Sequence, residues 1–320
     1  MKKFYLIILL LSLPRFGFSQ QYFSDTETQK KQEAIKRFEK LLENRNLPNN
    51  LNILFNGIRR DAKGFNYYTI ETPDIIVYAP TLTPDLKKKR ADSEELALKY
   101  GKIIEDVLKS YCPKDFNCPL PQKDFKVNVY LYGSEKAFIN QSGIQRSPPP
   151  ALATTKNDRG RIVSQKIEIN LTAPNNEEVA KHETIHIFLL RIFEGKYIPA
   201  WVDEGLAVLS EREDIIQKHL TVLEQSSVKW NAKQVMSMTE FPQGPEFGLA
   251  YAHSTSLDRF LSEIIGKDNE DRPIRKLRFI NFVKDGIDNG YEAALKKYYG
   301  QFGINNFNDL DKKWNAWRGF

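Results

Sequence analysis

The stretch from Asn176 to Phe193 most constrains what this chain can fold into. Val179, Ala180, Ile185, Ile187, Phe188, Leu189, Leu190, Ile192 and Phe193 set apolar side chains almost all round a helix. Asn175 or Asn176 suits its N-cap, Glu177 and Glu178 suit the positive end of its dipole, and Gly195 suits its close. Such a helix is buried, yet it carries His182, Glu183 and His186. An unpaired polar group in an interior costs roughly 2–7 kcal/mol, so these three must be paired or coordinated. The simplest solution is two core histidines with backbone or carboxylate partners.

The spacing offers a second solution. His182-Glu183-Thr184-Ile185-His186 is an H-E-x-x-H sequence, and residues four apart lie on one helical face. Two imidazoles so placed can share one Zn²⁺, with Glu183 beside it as a general base. Downstream, Ile198 to Glu211 reads IPAWVDEGLAVLSE. Pro199 suits the first turn of a second helix, and Gly205 would let that helix approach the first closely. Glu204 follows His186 by eighteen positions, enough chain to finish a helix, cross a loop and return. With Trp201, Val202, Leu206, Ala207 and Leu209 around it, Glu204 is the expected third ligand of a His₂Glu set with an open fourth position. A solvated helix carboxylate is the alternative.

H-E-x-x-H followed by W-x-x-E-G-x-A (Trp201, Glu204, Gly205, Ala207) resembles the gluzincins, the thermolysin-like zinc metallopeptidases, and most of all the peptidase-MA-like group within them. The resemblance is strong over residues 160–211 and weaker from about 65 to 317. It implies an α+β, zincin-type catalytic domain with a small mixed β-sheet lobe, an H-E-x-x-H helix and a C-terminal helical lobe. It also implies one Zn²⁺ per chain on His182, His186 and Glu204, with Glu183 activating the water. Two departures matter. Where thermolysin-type enzymes carry an aspartate four residues after the ligand glutamate, to orient a zinc histidine, this chain has Val208. The G-x-M-E-N stretch that holds a substrate amino terminus in many relatives is missing, so an aminopeptidase is not implied.

A peptidase also needs a donor for the oxyanion of its tetrahedral intermediate. In relatives a tyrosine or histidine of the C-terminal lobe supplies it. Here the candidates are Tyr251, favoured, and His253, on a helix expected from Phe247 to Ile265; each also has a structural reading. His219 reads as solvated surface. In the same family the strand before the zinc helix borders the cleft and pairs with substrate backbone, which by analogy places Gln165–Asn170 there; an ordinary sheet strand is the alternative.

The remaining chain sets the frame. Met1-Lys2-Lys3, an apolar run from Phe4 to Leu13 and small residues near Ser19 read as a signal peptide over residues 1–20, too short to span a bilayer. An uncleaved anchor is the alternative. The expected location is therefore periplasmic or extracellular, with no stable membrane insertion after cleavage. Removing that segment takes Lys2, Lys3 and Arg15 and no acid, so a net charge of +6 falls to +3, too mild to indicate nucleic acid. The Lys87-Lys88-Lys89-Arg90 run reads as a solvated helix start. Cys112 and Cys118 are the only cysteines, and in an oxidising compartment so close a pair forms a disulfide.

Residues 21–63 read as an N-terminal helical segment, 64–211 as the lobe with the zinc site and 212–320 as a helical lobe. Tyr67–Tyr78 reads as strand, Thr83 to Tyr111 as a long helix and Lys126–Tyr132 as strand, a β-α-β unit. Ala151–Thr155 and Arg161–Leu171 read as a hairpin across Asn157–Gly160. A stripe of Ile274, Leu277, Ile280 and Val283 marks a further helix, Gly286–Gly290 a turn, and Phe307, Leu310, Trp314 and Trp317 a core-facing stripe. The expected reading is an exported zinc peptidase acting on a peptide or protein substrate, with no signal for an oligomeric state. The alternative is a catalytically inactive zincin-fold binding protein of the cell envelope.

Overall fold

Alternating apolar residues build the sheet on which the rest of the chain rests. The computed structural model describes residues 55–60, 66–72, 74–80, 86–111, 126–143, 149–158, 161–244 and 246–319. The signal segment, most of the expected N-terminal helical segment and the Cys112–Cys118 pair lie outside them. Six strands are described: β1 (Phe55–Arg60), β2 (Asn66–Glu71), β3 (Ile75–Pro80), β4 (Val127–Tyr132), β5 (Ala151–Asp158) and β6 (Arg161–Asn170). Their order in the sheet is β1-β2-β3-β4-β6-β5, with β3-β4 and β4-β6 parallel and the other neighbours antiparallel. Register lines up Ile70, Val77, Val129, Ile167 and Ala153 in one row across five strands. That row starts a buried face and ends beside Glu183.

Helix α1 (Leu86–Tyr111) makes the crossover between β3 and β4, and Ala97, Tyr100, Ile104 and Leu108 join Val77, Val129 and Leu131 in the core. After β4 the short α2 (Glu135–Ser142) is capped by Ser134, whose Oγ accepts from Ala137 N, and leads to the β5-β6 hairpin. Helix α3 (Asn176–Ile192) then crosses the same sheet face through Ile185, Phe188 and Leu189. At its start Asn176 donates to the carbonyls of Leu171 and Ala173 and accepts from Tyr100 OH at 2.6 Å. Near its end the buried Arg191 donates to Gln165 Oε1 at 2.6 Å, and Gln165 donates to Ile187 O and Thr155 Oγ1. These contacts fix the rotation of α3 against the sheet.

From here the chain is helical: α4 (Ala200–Val208), α5 (Glu213–Gln225), α6 (Ala232–Met236), α7 (Glu246–Arg259), α8 (Arg272–Asn289), α9 (Tyr291–Tyr299) and α10 (Phe307–Arg318). A π-helical turn, Phe260–Ile264, extends α7. Trp201 of α4 is fully buried against Phe279 and Tyr291, and Trp314 of α10 donates to Ser256 Oγ at 3.0 Å. The architecture is α+β, and no helix among the described residues is long and apolar enough to cross a membrane.

Several expectations need correction. Phe55–Arg60 is a strand paired with β2, so the N-terminal helical segment cannot extend to residue 63. Tyr67–Tyr78 is two strands rather than one, because Thr72 turns the chain: its N–H donates to Ile75 O and its Oγ1 accepts from Ile75 N. Gln165–Asn170 lies in β6, an interior strand between β4 and β5, and the edge strand on that side of the sheet is β5. Gly286 is inside α8 rather than in a turn. A Cβ there would sit 2.3 Å from the Tyr291 ring, so glycine makes room for an aromatic side chain. Ile274 is exposed, while Lys276 on the neighbouring face is buried with its Nζ 3.6 Å above the Tyr111 ring.

Asp258 of α7 is fully buried, and neither carboxylate oxygen has a hydrogen-bond partner among the described residues. It lies against Gly205 of α4, where a Cβ would come 2.4 Å from Asp258 Oδ2. Burial pushes this carboxyl well above the usual range, so the native state holds a proton that the unfolded chain has released. Its contribution to stability is present below the unfolded carboxylate value and is lost as pH rises through the folded one. Asp258→Asn, which has no proton to lose, is therefore expected to gain stability relative to the native chain as pH rises above about 4. Denaturant titrations at pH 4, 6 and 8 measure this, and parallel stability curves would contradict it.

Candidate metal centre

On α3 the four-residue spacing sets the His182 and His186 rings 5.0 Å apart, roughly perpendicular. One ligand atom each from His182, Glu183 and His186 lies within 4.8 Å of the others, so the group can hold a metal ion. Helix α4 brings a further carboxylate: Glu204 Oε2 is 3.3 Å from His182 Nε2 and 3.9 Å from His186 Nε2. Glu183 is differently engaged, since its Oε2 accepts from the backbone N–H of Ala153 on the edge strand at 2.6 Å. Glu204 thus faces both imidazoles, and Glu183 stands beside them tied to β5.

The opposite ring nitrogens are also occupied. His186 Nδ1 lies 2.7 Å from Asp203 Oδ1, and His182 Nδ1 lies 2.8 Å from Glu211 Oε1. A carboxylate at Nδ1 accepts the ring N–H there and leaves Nε2 facing Glu204, where it carries a proton donated to that carboxylate or, deprotonated, a lone pair for a metal. Val208 occupies the position where the resemblance expects an orienting aspartate, and two other carboxylates meet the histidine Nδ1 atoms instead. Neither was recognised in the sequence. Asp203 stands next to Glu204 on α4, and Glu211 lies in the turn that follows the helix, so neither has a same-face spacing to Glu204 that would mark it.

The electrostatics favour positive charge. Burial works against a protonated His182, but Glu204 and Glu211 outweigh it and push the imidazole up to about 10. His186 is opposed by burial in the same way and raised by Asp203 and Glu204. Burial acts upward on Glu204, yet His182, His186 and Tyr251 together hold it below the usual carboxylate range. Carboxylates closing on two imidazoles in a half-buried site make a receptor for a cation, proton or metal.

Tyr251 of α7 reaches this group, donating through its OH to Glu204 Oε2 at 2.5 Å. Burial and the Glu204 charge both hold its phenol protonated. His253 does not reach it. That ring is fully buried, stacked on Trp230 and edge-on to Trp314, and its Nε2 accepts from Trp230 N at 3.3 Å. Two residues along a helix is about 200° round its axis, so Tyr251 and His253 face opposite ways. Burial brings His253 down to about 4, as suits a neutral core imidazole. His219, expected at the surface, is half-buried and stacked on Tyr251, with ring centroids 6.0 Å apart. Burial lowers its pKa, and the charges of Glu211 and His182 also reach it. Nothing in its charged sequence surroundings marked that position.

Neither a scan against protein-family models nor a search of curated proteins returns a match. The site is therefore read from its own geometry. Partners at the far nitrogen of a ligand histidine are worth roughly 10–100-fold in metal affinity. Asp203→Ala and Glu211→Ala should each weaken metal binding by about that factor, measured by competition with a chelator of known affinity. Native affinity in both variants would contradict the arrangement.

Proposed function

We propose that this chain is an exported zinc-dependent metallopeptidase of the gluzincin type. The observation that carries the reading is the convergence of two Nε2 atoms and Glu204 Oε2 on one point, with each Nδ1 held by its own carboxylate. Two imidazoles and one carboxylate are a zinc-type donor set that leaves room for a fourth ligand, so the residues present fit the metal. His182, His186 and Glu204 would hold it. Zinc bound there supplies Lewis acidity, polarising a carbonyl and acidifying a nearby water.

The chain's own groups do the rest. Glu183, one residue from His182 and outside the proposed ligand set, takes the water's proton and passes it to the departing amine. Its bond to Ala153 N–H orients the carboxylate and ties it to the sheet edge. Beyond Ala153, the unpaired side of β5 can accept an extended peptide as an added strand, which brings a scissile bond alongside Glu183. Tyr251 OH, protonated and already donating to a carboxylate oxygen at the site, can turn its proton to the developing oxyanion. His253 has no part in this scheme.

Glu183→Gln keeps the side-chain shape and removes the base. It should retain zinc and lower peptide turnover by at least about 100-fold, as loss of a general base does. Turnover of a quenched-fluorescent peptide library is measured alongside zinc content. Native turnover in a zinc-loaded variant would remove Glu183 from the mechanism.

A further inference from the structure

The buried side of α7 and of its π-helical extension carries polar side chains that no partner satisfies. Ser254, Asp258 and Ser262 follow one another at four-residue spacing, and all three are shut off from solvent. Neither hydroxyl and neither carboxyl oxygen has a hydrogen-bond partner among the described residues. Interiors rarely keep such groups, because each loses its hydration without a return, so the row calls for an explanation. It meets α4 where the two helices come closest: a Cβ on Gly205 would lie 2.4 Å from Asp258 Oδ2 and 3.0 Å from the backbone of Ser254. Both helices lead to the metal centre. Gly205 adjoins Glu204, and Tyr251, two turns before Asp258, donates to Glu204 Oε2. The π-helical turn Phe260–Ile264 begins two residues after Asp258, and such turns are rare and frequent at functional sites.

No cation offsets a charge on Asp258, and burial alone keeps the carboxyl protonated. The titratable groups that its charge would reach are phenols, Tyr111 of α1 and Tyr291 and Tyr299 of α9, all held protonated chiefly by burial. The adjoining Arg259 turns to Glu213 of α5, at 2.9 Å. From α8, Lys276 lies over the Tyr111 ring and Arg272 pairs with Glu263.

We propose that the proton on Asp258 is a latch that closes α7 on α4 and so holds Tyr251 against Glu204, making the metal centre sensitive to pH through a residue outside it. The effect on metal rests on the metallopeptidase reading above; the latch itself does not. With its proton, the neutral carboxyl fits against the Gly205 backbone. Ionisation breaks the carboxyl O–H bond, passes the proton to water and leaves a carboxylate that the closed interface cannot hydrate. That charge is accommodated when α7 moves off α4, which draws Tyr251 from Glu204 and loosens the helix that supplies Asp203 and Glu204. In the opened chain Asp258 titrates at the ordinary carboxylate value of about 4, and in the closed chain well above it. Opening therefore releases one proton and becomes about tenfold easier per pH unit between the two values. The latch is tight in acid and eases towards neutrality.

Hydrogen exchange of the full chain, corrected for intrinsic rates, tests this at about pH 4.5 and about pH 6, a window between ordinary carboxylate and imidazole values. In peptides from α4 and from α7 with its π-helical turn, native protection should fall at least about tenfold from the lower pH to the higher, while peptides from β4 stay level. Asp258→Asn should abolish that fall, as should Asp258→Leu if the amide variant does not fold. Equal protection at both pH values in the native chain, or the same fall in a folded variant, would overturn the latch. At about pH 7 saturating zinc should restore protection to the same native peptides, because a ligand held by the closed form opposes opening. Zinc that binds without slowing exchange there would overturn the tie between latch and metal centre. If no zinc binds, the metal reading fails, and the native pH dependence alone decides the latch.

Discussion

The pairing of each α3 imidazole with a carboxylate from outside that helix is the interaction on which the site depends. His182 and His186 sit in a helix whose other faces are apolar and buried, so their polar atoms cannot be left to water. Asp203 and Glu211 meet the two Nδ1 atoms, and Glu204 meets the two Nε2 atoms. All three come from α4 and the turn just after it. The placement of one nine-residue helix therefore decides whether the imidazoles are satisfied.

That placement is itself set by packing. Trp201 anchors α4 against Phe279 and Tyr291, and Gly205 lets it close on α7 at Asp258. Two turns before Asp258, on the same face of α7, Tyr251 donates to Glu204. On the other flank, the sheet fixes Ala153 in register with Ile167, and its free N–H fixes Glu183. The site is thus suspended between an edge strand and two helices. The Gln165–Arg191 contact keeps α3 from rotating out of line with either.

Local patterns made much of this legible in the sequence. The H-E-x-x-H face, the apolar surround of Glu204 and the alternation of Val127–Tyr132 each depend on neighbours a few residues apart. Features decided by distant partners were not legible. Gln165–Asn170 was placed at a cleft by the resemblance; its hairpin with β5 was legible, but nothing in its sequence reveals that β4 pairs with its other side and makes it interior. Gly286 looked like a turn because the ring that fills its space belongs to the next helix. His219 looked solvated because its stacking on Tyr251 depends on how α5 crosses α7. Asp203 and Glu211 were harder to read, since Asp203 is the immediate neighbour of Glu204 and Glu211 lies in the turn after α4, while the resemblance pointed to position 208.

The most direct test of the account is the zinc content of the purified chain beside that of His186→Ala, measured by atomic absorption after exhaustive dialysis. The account predicts about one zinc per native chain, from one His₂Glu set, and its loss in a variant that stays folded. Zinc absent from both proteins, even after refolding with the metal, would contradict it and return His182 and His186 to the role of carboxylate-paired core residues.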